Sequence, residues 1–134
     1  MKPALKKTCF FAYLALITLL SVMPSSNFPK IPLFAHADKV AHLLMYLVFS
    51  FLFLWAWQPI NKNTKLLIPL FIVVVWGIFM EIAQKLLSCN RQFEVLDIVA
   101  NIIGGLCGIG CWLIYTKIKK SLAKNNRFDD NNKL

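Results

Sequence analysis

Residues 66–87 read LLIPLFIVVVWGIFMEIAQKLL. This stretch is long enough to cross a bilayer, which needs about 20 predominantly apolar residues. Near its end it carries Glu81 and Gln84. An ionised side chain near the bilayer centre costs roughly 2.5–3.5 kcal/mol on insertion scales. Such a residue therefore faces other helices or a water-filled cavity, not lipid. The segment predicts a membrane span with a polar inner face, and so at least one partner helix.

Working outward, three more apolar runs appear. Thr8–Met23 lies between Lys6–Lys7 and Pro24. A basic start before an apolar run can mark a signal peptide, but Ser21, Val22 and Met23 form no small-x-small cleavage pair, so an uncleaved first span is expected. Residues 24–37 (PSSNFPKIPLFAHA) are proline-rich and read as a loop. The second run, Val40–Trp57, ends with Trp55 and Trp57 as interfacial anchors. The fourth, Val95–Tyr115, follows the link SCNRQFE. The expectation is an all-α integral membrane bundle with spans at about 8–23, 40–57, 66–87 and 95–115. Together they form one domain over residues 1–116, followed by a basic tail at 117–134.

Composition agrees. The chain has 134 residues, 58% of them hydrophobic, and a mean hydropathy of +0.62. Four spans with short loops use nearly all of it and leave no room for a separate soluble domain. The net charge of +9 does not point to nucleic acid, because the basic residues cluster behind apolar runs. There they act as topology signals and contacts for anionic headgroups. Lys2, Lys6, Lys7, Lys62, Lys65 and the tail lie on one side. Lys30, Lys39, Lys85 and Arg91 lie on the other. Both termini are thus expected in the cytoplasm, with loops 24–38 and 88–94 outside. Cys9, Cys89, Cys107 and Cys111 show no metal-ligand or disulfide spacing. Three read as small intramembrane fillers, and Cys89 falls alone in a loop.

That topology puts the polar residues at one depth. Asp38, Lys39, His42 and Tyr46 lie at the outer end of span two, with Asp38, His42 and Tyr46 spaced i, i+4, i+8 on one stripe. Glu81, Gln84 and Lys85 lie at the outer end of span three, with Gly77 one turn before Glu81. Arg91, Asp97 and Asn101 reach the same level on span four, whose stripe continues into Gly104 and Gly108. The Gly104-x-x-x-Gly108 pair admits a close neighbouring helix. Plainer readings exist for most of these residues taken singly. Asp38 suits an N-cap, His42 a hydrogen-bonded structural histidine, and Asn101 an interhelical hydrogen bond. Arg91 suits a surface pair with Glu94 or Asp97, and Lys39 and Lys85 suit snorkelling side chains. Glu81 fits no such reading, because a mid-helix carboxylate needs a partner or a proton. If the stripes face one another, Asp38, His42, Glu81, Gln84, Arg91, Asp97 and Asn101 should form one connected network, with a carboxylate on Arg91 and Glu94 in the exposed loop.

The pattern Asp38-Lys39-x-x-His42-x-x-x-Tyr46, then Glu81-x-x-Gln84, Arg91, and Asp97-x-x-x-Asn101-x-x-Gly104, closely resembles the VanZ-like family of small bacterial membrane proteins. The resemblance covers about residues 10–115. The family usually carries Pro-Gly before the arginine, where this chain has Cys89-Asn90. The resemblance implies a multi-pass protein of the bacterial cytoplasmic membrane. The family takes its name from an accessory protein linked to teicoplanin resistance, and its molecular activity is not established.

Two functional classes follow. In the first, an outward polar pocket binds a lipid headgroup, a cell-wall precursor or an amphiphilic drug. Its lining would be Asp38, Lys39, His42, Tyr46, Glu81, Gln84, Arg91, Asp97 and Asn101, with Lys39 and Arg91 meeting anionic groups. In the second, a membrane enzyme acts on a lipid-linked substrate, with His42 or Glu81 as acid/base beside Asp38. No G-x-S-x-G, phosphate loop or H-E-x-x-H stands in the chain. No cofactor or metal is assigned, since an Asp/His/Glu cluster could hold a divalent cation but the spacing does not demand one. A third class, an ion or proton pathway, would need an oligomer, because four helices enclose little space.

Overall fold

The computed structural model describes residues 2–23, 36–57, 66–87 and 94–131, with side chains of the last segment through Asn126. These residues form four helices and no strand: α1 (Pro3–Val22), α2 (Ala37–Ala56), α3 (Leu67–Leu87) and α4 (Val95–Asn131). Each is long and apolar enough to cross a membrane. At about 1.5 Å per residue, the 20 residues of α1 or α2 span roughly 30 Å, the thickness of the hydrocarbon layer.

The four helices fall on the four expected stretches, with α1 starting earlier than expected and α4 running well past its expected end. α1 begins at Pro3, whose fixed φ and missing N–H suit the first helical position. α2 begins before Asp38, so the N-cap reading of Asp38 is corrected. The cap is His36 at φ 65°, without a side-chain cap bond, and Asp38 lies inside the first turn. The left-handed backbone at a non-glycine residue turns the chain sharply into α2. α4 runs on past Tyr115 as 37 continuous residues, so the basic segment after the fourth span is helical through Asn131.

The bundle is apolar outside. On α3 the exposed residues Leu67, Phe71, Val75, Ile78, Phe79, Ile82 and Leu86 make one stripe, and Val73, Gly77, Met80, Glu81 and Gln84 make the buried one. This inverts the pattern of a soluble helix and fits lipid as the solvent of the outer face. Cys9, Cys107 and Cys111 are free and lie on the exposed surface, in keeping with apolar filler. Cys89 lies outside the described residues.

Neighbouring helices in sequence run antiparallel, so α2 and α4 run parallel and form the most extensive helix pair. Glycine explains their closeness. A Cβ at Gly104 would stand 2.2 Å from the Leu43 carbonyl oxygen, and one at Gly108 would stand 2.2 Å from that of Leu47. Only a residue without Cβ lets the two backbones approach this far. α2 touches all three other helices, whereas α1 and α4 do not meet among the described residues.

The two ends of the bundle differ. At one end Phe10, Phe53 and Trp57 interlock, with Phe10–Trp57 and Phe53–Trp57 ring centroids both 4.9 Å apart. The Lys6 ammonium lies over Trp55 at 5.3 Å and that of Lys7 over Trp57 at 5.8 Å. Aromatic rings carrying cations are typical of a membrane interface. The opposite end holds Asp38, Lys39, Glu81, Glu94 and Asp97.

Candidate functional site at the polar end of the bundle

Asp38, Lys39 and His42 come from the first turns of α2, Glu81 and Gln84 from the end of α3, and Glu94, Asp97 and Asn101 from the start of α4. Because α2 and α4 run parallel in close register, their first turns lie side by side. Lys39 is the hub. Its Nζ stands 2.6 Å from Asp38 Oδ2 and 3.0 Å from Asp97 Oδ1, and it also pairs with Glu94 Oε2. One ammonium with three donors thus meets three carboxylates, which offsets their mutual repulsion.

One turn deeper, His42 Nδ1 lies 3.1 Å from Asn101 Oδ1, and His42 Nε2 lies 3.7 Å from Asp97 Oδ2. Asn101 Oδ1 only accepts, so the ring nitrogen facing it carries the proton. Asn101 is 1% exposed and packs against Gly77, where a Cβ would come within 3.0 Å of its Nδ2. Gly77 therefore lets α3 close on α4 and brings Glu81 to the same level. Glu81 is 2% exposed and takes part in polar or electrostatic interactions inside the bundle. One ligand atom each from His42, Glu81 and Asp97 lies within 4.8 Å of the other two. A second trio, Asp38, Glu94 and Asp97, satisfies the same spacing, but Lys39 binds all three.

A cavity of about 250 Å³ opens beside His42, between α1, α2 and α3. Leu20, Ala41 and Met45 make its apolar wall, and Ser21, Asp38, His42 and Gln84 supply polar groups. Gln84 Nε2 donates to the Ser21 carbonyl at 2.9 Å, tying the ends of α1 and α3 together.

Against the sequence reading, Asp38, His42, Asp97 and Asn101 are linked through Lys39 and His42, and Glu81 lies within reach. Gln84 instead turns to α1. Tyr46 sits deeper, its ring packed on Phe49 with centroids 5.9 Å apart. Arg91, and with it the expected Arg91–carboxylate pair, lies outside the described residues. Two readings are corrected. Lys39 does not snorkel away but holds the carboxylates together. Glu94 is not merely a loop residue, because its backbone oxygen accepts from Asp97 N at 3.1 Å and its carboxylate meets Lys39. The spacing Glu94-x-x-Asp97 at a helix start was the available signal, as it puts both acids on one edge of the first turn. Ser21 gave no signal, since it takes part through its backbone oxygen.

Fold and site together define a small four-helix membrane protein with a buried polar cluster at one end. Residues 10–116 match the model of the VanZ/LLP1 family, and the chain belongs to that family. It is also 30% identical over 87 residues to an uncharacterized protein, C11E3.10, of the fission yeast Schizosaccharomyces pombe. That stretch is 65% of this chain and 52% of the yeast protein, so the chain spans about half the length of this relative. With a fungal relative, family membership does not by itself imply a bacterial host. No solved structure matches the chain.

Proposed function

We propose that the polar end of the bundle receives the headgroup of a membrane amphiphile, such as a phospholipid, a lipid-linked cell-wall precursor or a glycopeptide-type drug. The supporting observation is the cavity beside His42, apolar along Leu20, Ala41 and Met45 and polar at Ser21, Asp38, His42 and Gln84. A mostly apolar pocket with a few placed polar groups suits one molecule with both characters. Lys39, held by its carboxylates, is a positioned cation paired with Asp38 of the lining, and Arg91 belongs to the same outer level by sequence. In this reading both termini lie in the cytoplasm, the pocket opens outward, and a bacterial host would carry the protein in its cytoplasmic membrane. A role in teicoplanin-type resistance is part of the proposal through family resemblance alone.

The test is binding by the purified full chain in nanodiscs, followed by native mass spectrometry. Teicoplanin, a lipid-linked precursor and an anionic phospholipid serve as probes. Filling the cavity with Met45→Trp should abolish retention of whichever amphiphile binds, while Val75→Trp on the lipid face should not. Equal retention by both variants would reject the pocket.

A second reading rests on His42 itself. It borders the cavity, is oriented by Asn101 and is backed by Asp97. A carbonyl-oriented imidazole near a carboxylate is a workable general base, with Glu81 and Asp38 as the other candidate acid/base groups. Turnover of a lipid-linked precursor by purified protein, lost in His42→Ala, would favour this enzyme over a binding protein. An ion or proton pathway ranks third, with Glu81 as its carrier.

A further inference from the structure

We propose that His42, Glu81 and Asp97 form a divalent cation site, best suited to a zinc-like ion that accepts one nitrogen and two oxygen ligands. The three residues are buried and come from three different helices, yet one ligand atom from each lies within 4.8 Å of the others. Ligands on a tetrahedral zinc at roughly 2.0–2.1 Å stand about 3.3 Å apart. The His42 Nε2–Asp97 Oδ2 separation of 3.7 Å is close to that value. It needs only a small inward movement of the side chains.

The orientation of the imidazole supplies the second argument. With Nδ1 turned to Asn101 Oδ1, Nε2 is the ring atom that faces Asp97 Oδ2. Metal-bound histidines characteristically donate their other ring N–H to a carbonyl or carboxylate, which fixes the tautomer and strengthens the ligand. Asn101 is 1% exposed and does this here.

Lys39 reaches Asp97 through Oδ1, which leaves Oδ2 facing the inner site. Three protein ligands also leave one coordination position open. His42 lines the adjacent cavity, so that position lies near where an oxyanion of a ligand could arrive. The site itself stands on its own geometry and does not depend on any amphiphile binding.

The test uses the full chain in detergent micelles, stripped with chelator and titrated with Co²⁺ and Zn²⁺. Stoichiometry is read by elemental analysis after dialysis, and geometry by the visible absorption of cobalt. One ion per chain is expected, with a tetrahedral cobalt spectrum. His42→Ala and the near-isosteric Glu81→Gln and Asp97→Asn should each weaken binding by at least roughly a hundredfold. Asn101→Leu should weaken it roughly tenfold to a hundredfold through loss of the ring's partner. Glu94→Gln should leave it unchanged, which separates the inner site from the Lys39 cluster. Far-UV circular dichroism on every variant identifies those that fold. No bound ion in the folded wild-type chain would overturn the site. So would wild-type affinity in folded Glu81→Gln and Asp97→Asn, or nitrogen NMR showing His42 protonated on both nitrogens in metal-saturating buffer. A negative result would leave the amphiphile pocket untouched, because that test reads Met45.

Discussion

Lys39 and the carboxylates around it decide how the first turns of α2 and α4 sit together. The Lys39 side chain is 17% exposed and that of Asp97 12%, so this contact is largely shielded from water, whereas Glu94 is 48% exposed. Removing one partner of a buried pair leaves an uncompensated charge and costs several kcal/mol, while exposed pairs contribute at most about 1 kcal/mol. Lys39→Met should therefore destabilise the bundle by about 2–3 kcal/mol, below the range for a fully buried pair. Glu94→Ala should cost less than about 1 kcal/mol. Glu81→Ala, at a 2% exposed position, should cost about 2–3 kcal/mol through lost polar contacts and a void. Unfolding midpoints from SDS titration in mixed micelles rank the three, and an equal shift for Glu81→Ala and Glu94→Ala would contradict the burial argument.

At the scale of the helix, the glycines sort by what a methyl group would strike. Gly104 and Gly108 face main-chain oxygens of α2, which cannot rotate away. Gly105 faces the Val73 side chain at 2.9 Å, which has some freedom, and Gly110 has nothing within 4 Å. Gly104→Ala and Gly108→Ala must push α2 and α4 apart and should each cost about 1–3 kcal/mol, typical of overpacking. Gly105→Ala should cost less. Gly110→Ala should be neutral or stabilising by up to about 1 kcal/mol, from helix propensity. The same unfolding titration reads the order. Because Gly104 follows Asn101 by about one turn and Gly108 by about two, the two costly substitutions should also weaken the His42–Asn101 hydrogen bond, Gly104→Ala the more.

For the whole molecule, the aromatic end with Lys6 and Lys7 over its tryptophans and the charged end beyond it are opposite faces of one bundle. The basic residues of the α4 extension continue past the aromatic end, at Lys117, Lys119, Lys120 and Lys124. On the positive-inside rule we propose that both termini lie in the cytoplasm. Single cysteines at residues 30 and 90, in a background lacking the native ones, should label with a membrane-impermeant maleimide in intact cells. Labelling only after permeabilisation would invert the orientation and turn the pocket to the cytoplasm.

Four spans were legible from the sequence because lipid imposes a simple demand: about 20 apolar residues per crossing, with every backbone group bonded internally. The polar stripes were legible for the same reason, as Glu81, Asp97 and Asn101 are costly anywhere but inside, and Gly104 and Gly108 announced a close neighbour. Which neighbour was decided only by the tertiary structure. Helix periodicity defines a face but not the partner opposite it, and the parallel pairing of α2 with α4 comes from backbone fit at Leu43 and Leu47. From that pairing follow the roles a linear reading misassigned: Lys39 as the hub of three carboxylates, Glu94 as one of them, Gln84 turned to Ser21. The convergence of His42, Glu81 and Asp97 has the same origin, since three residues on three helices carry no common spacing along the chain.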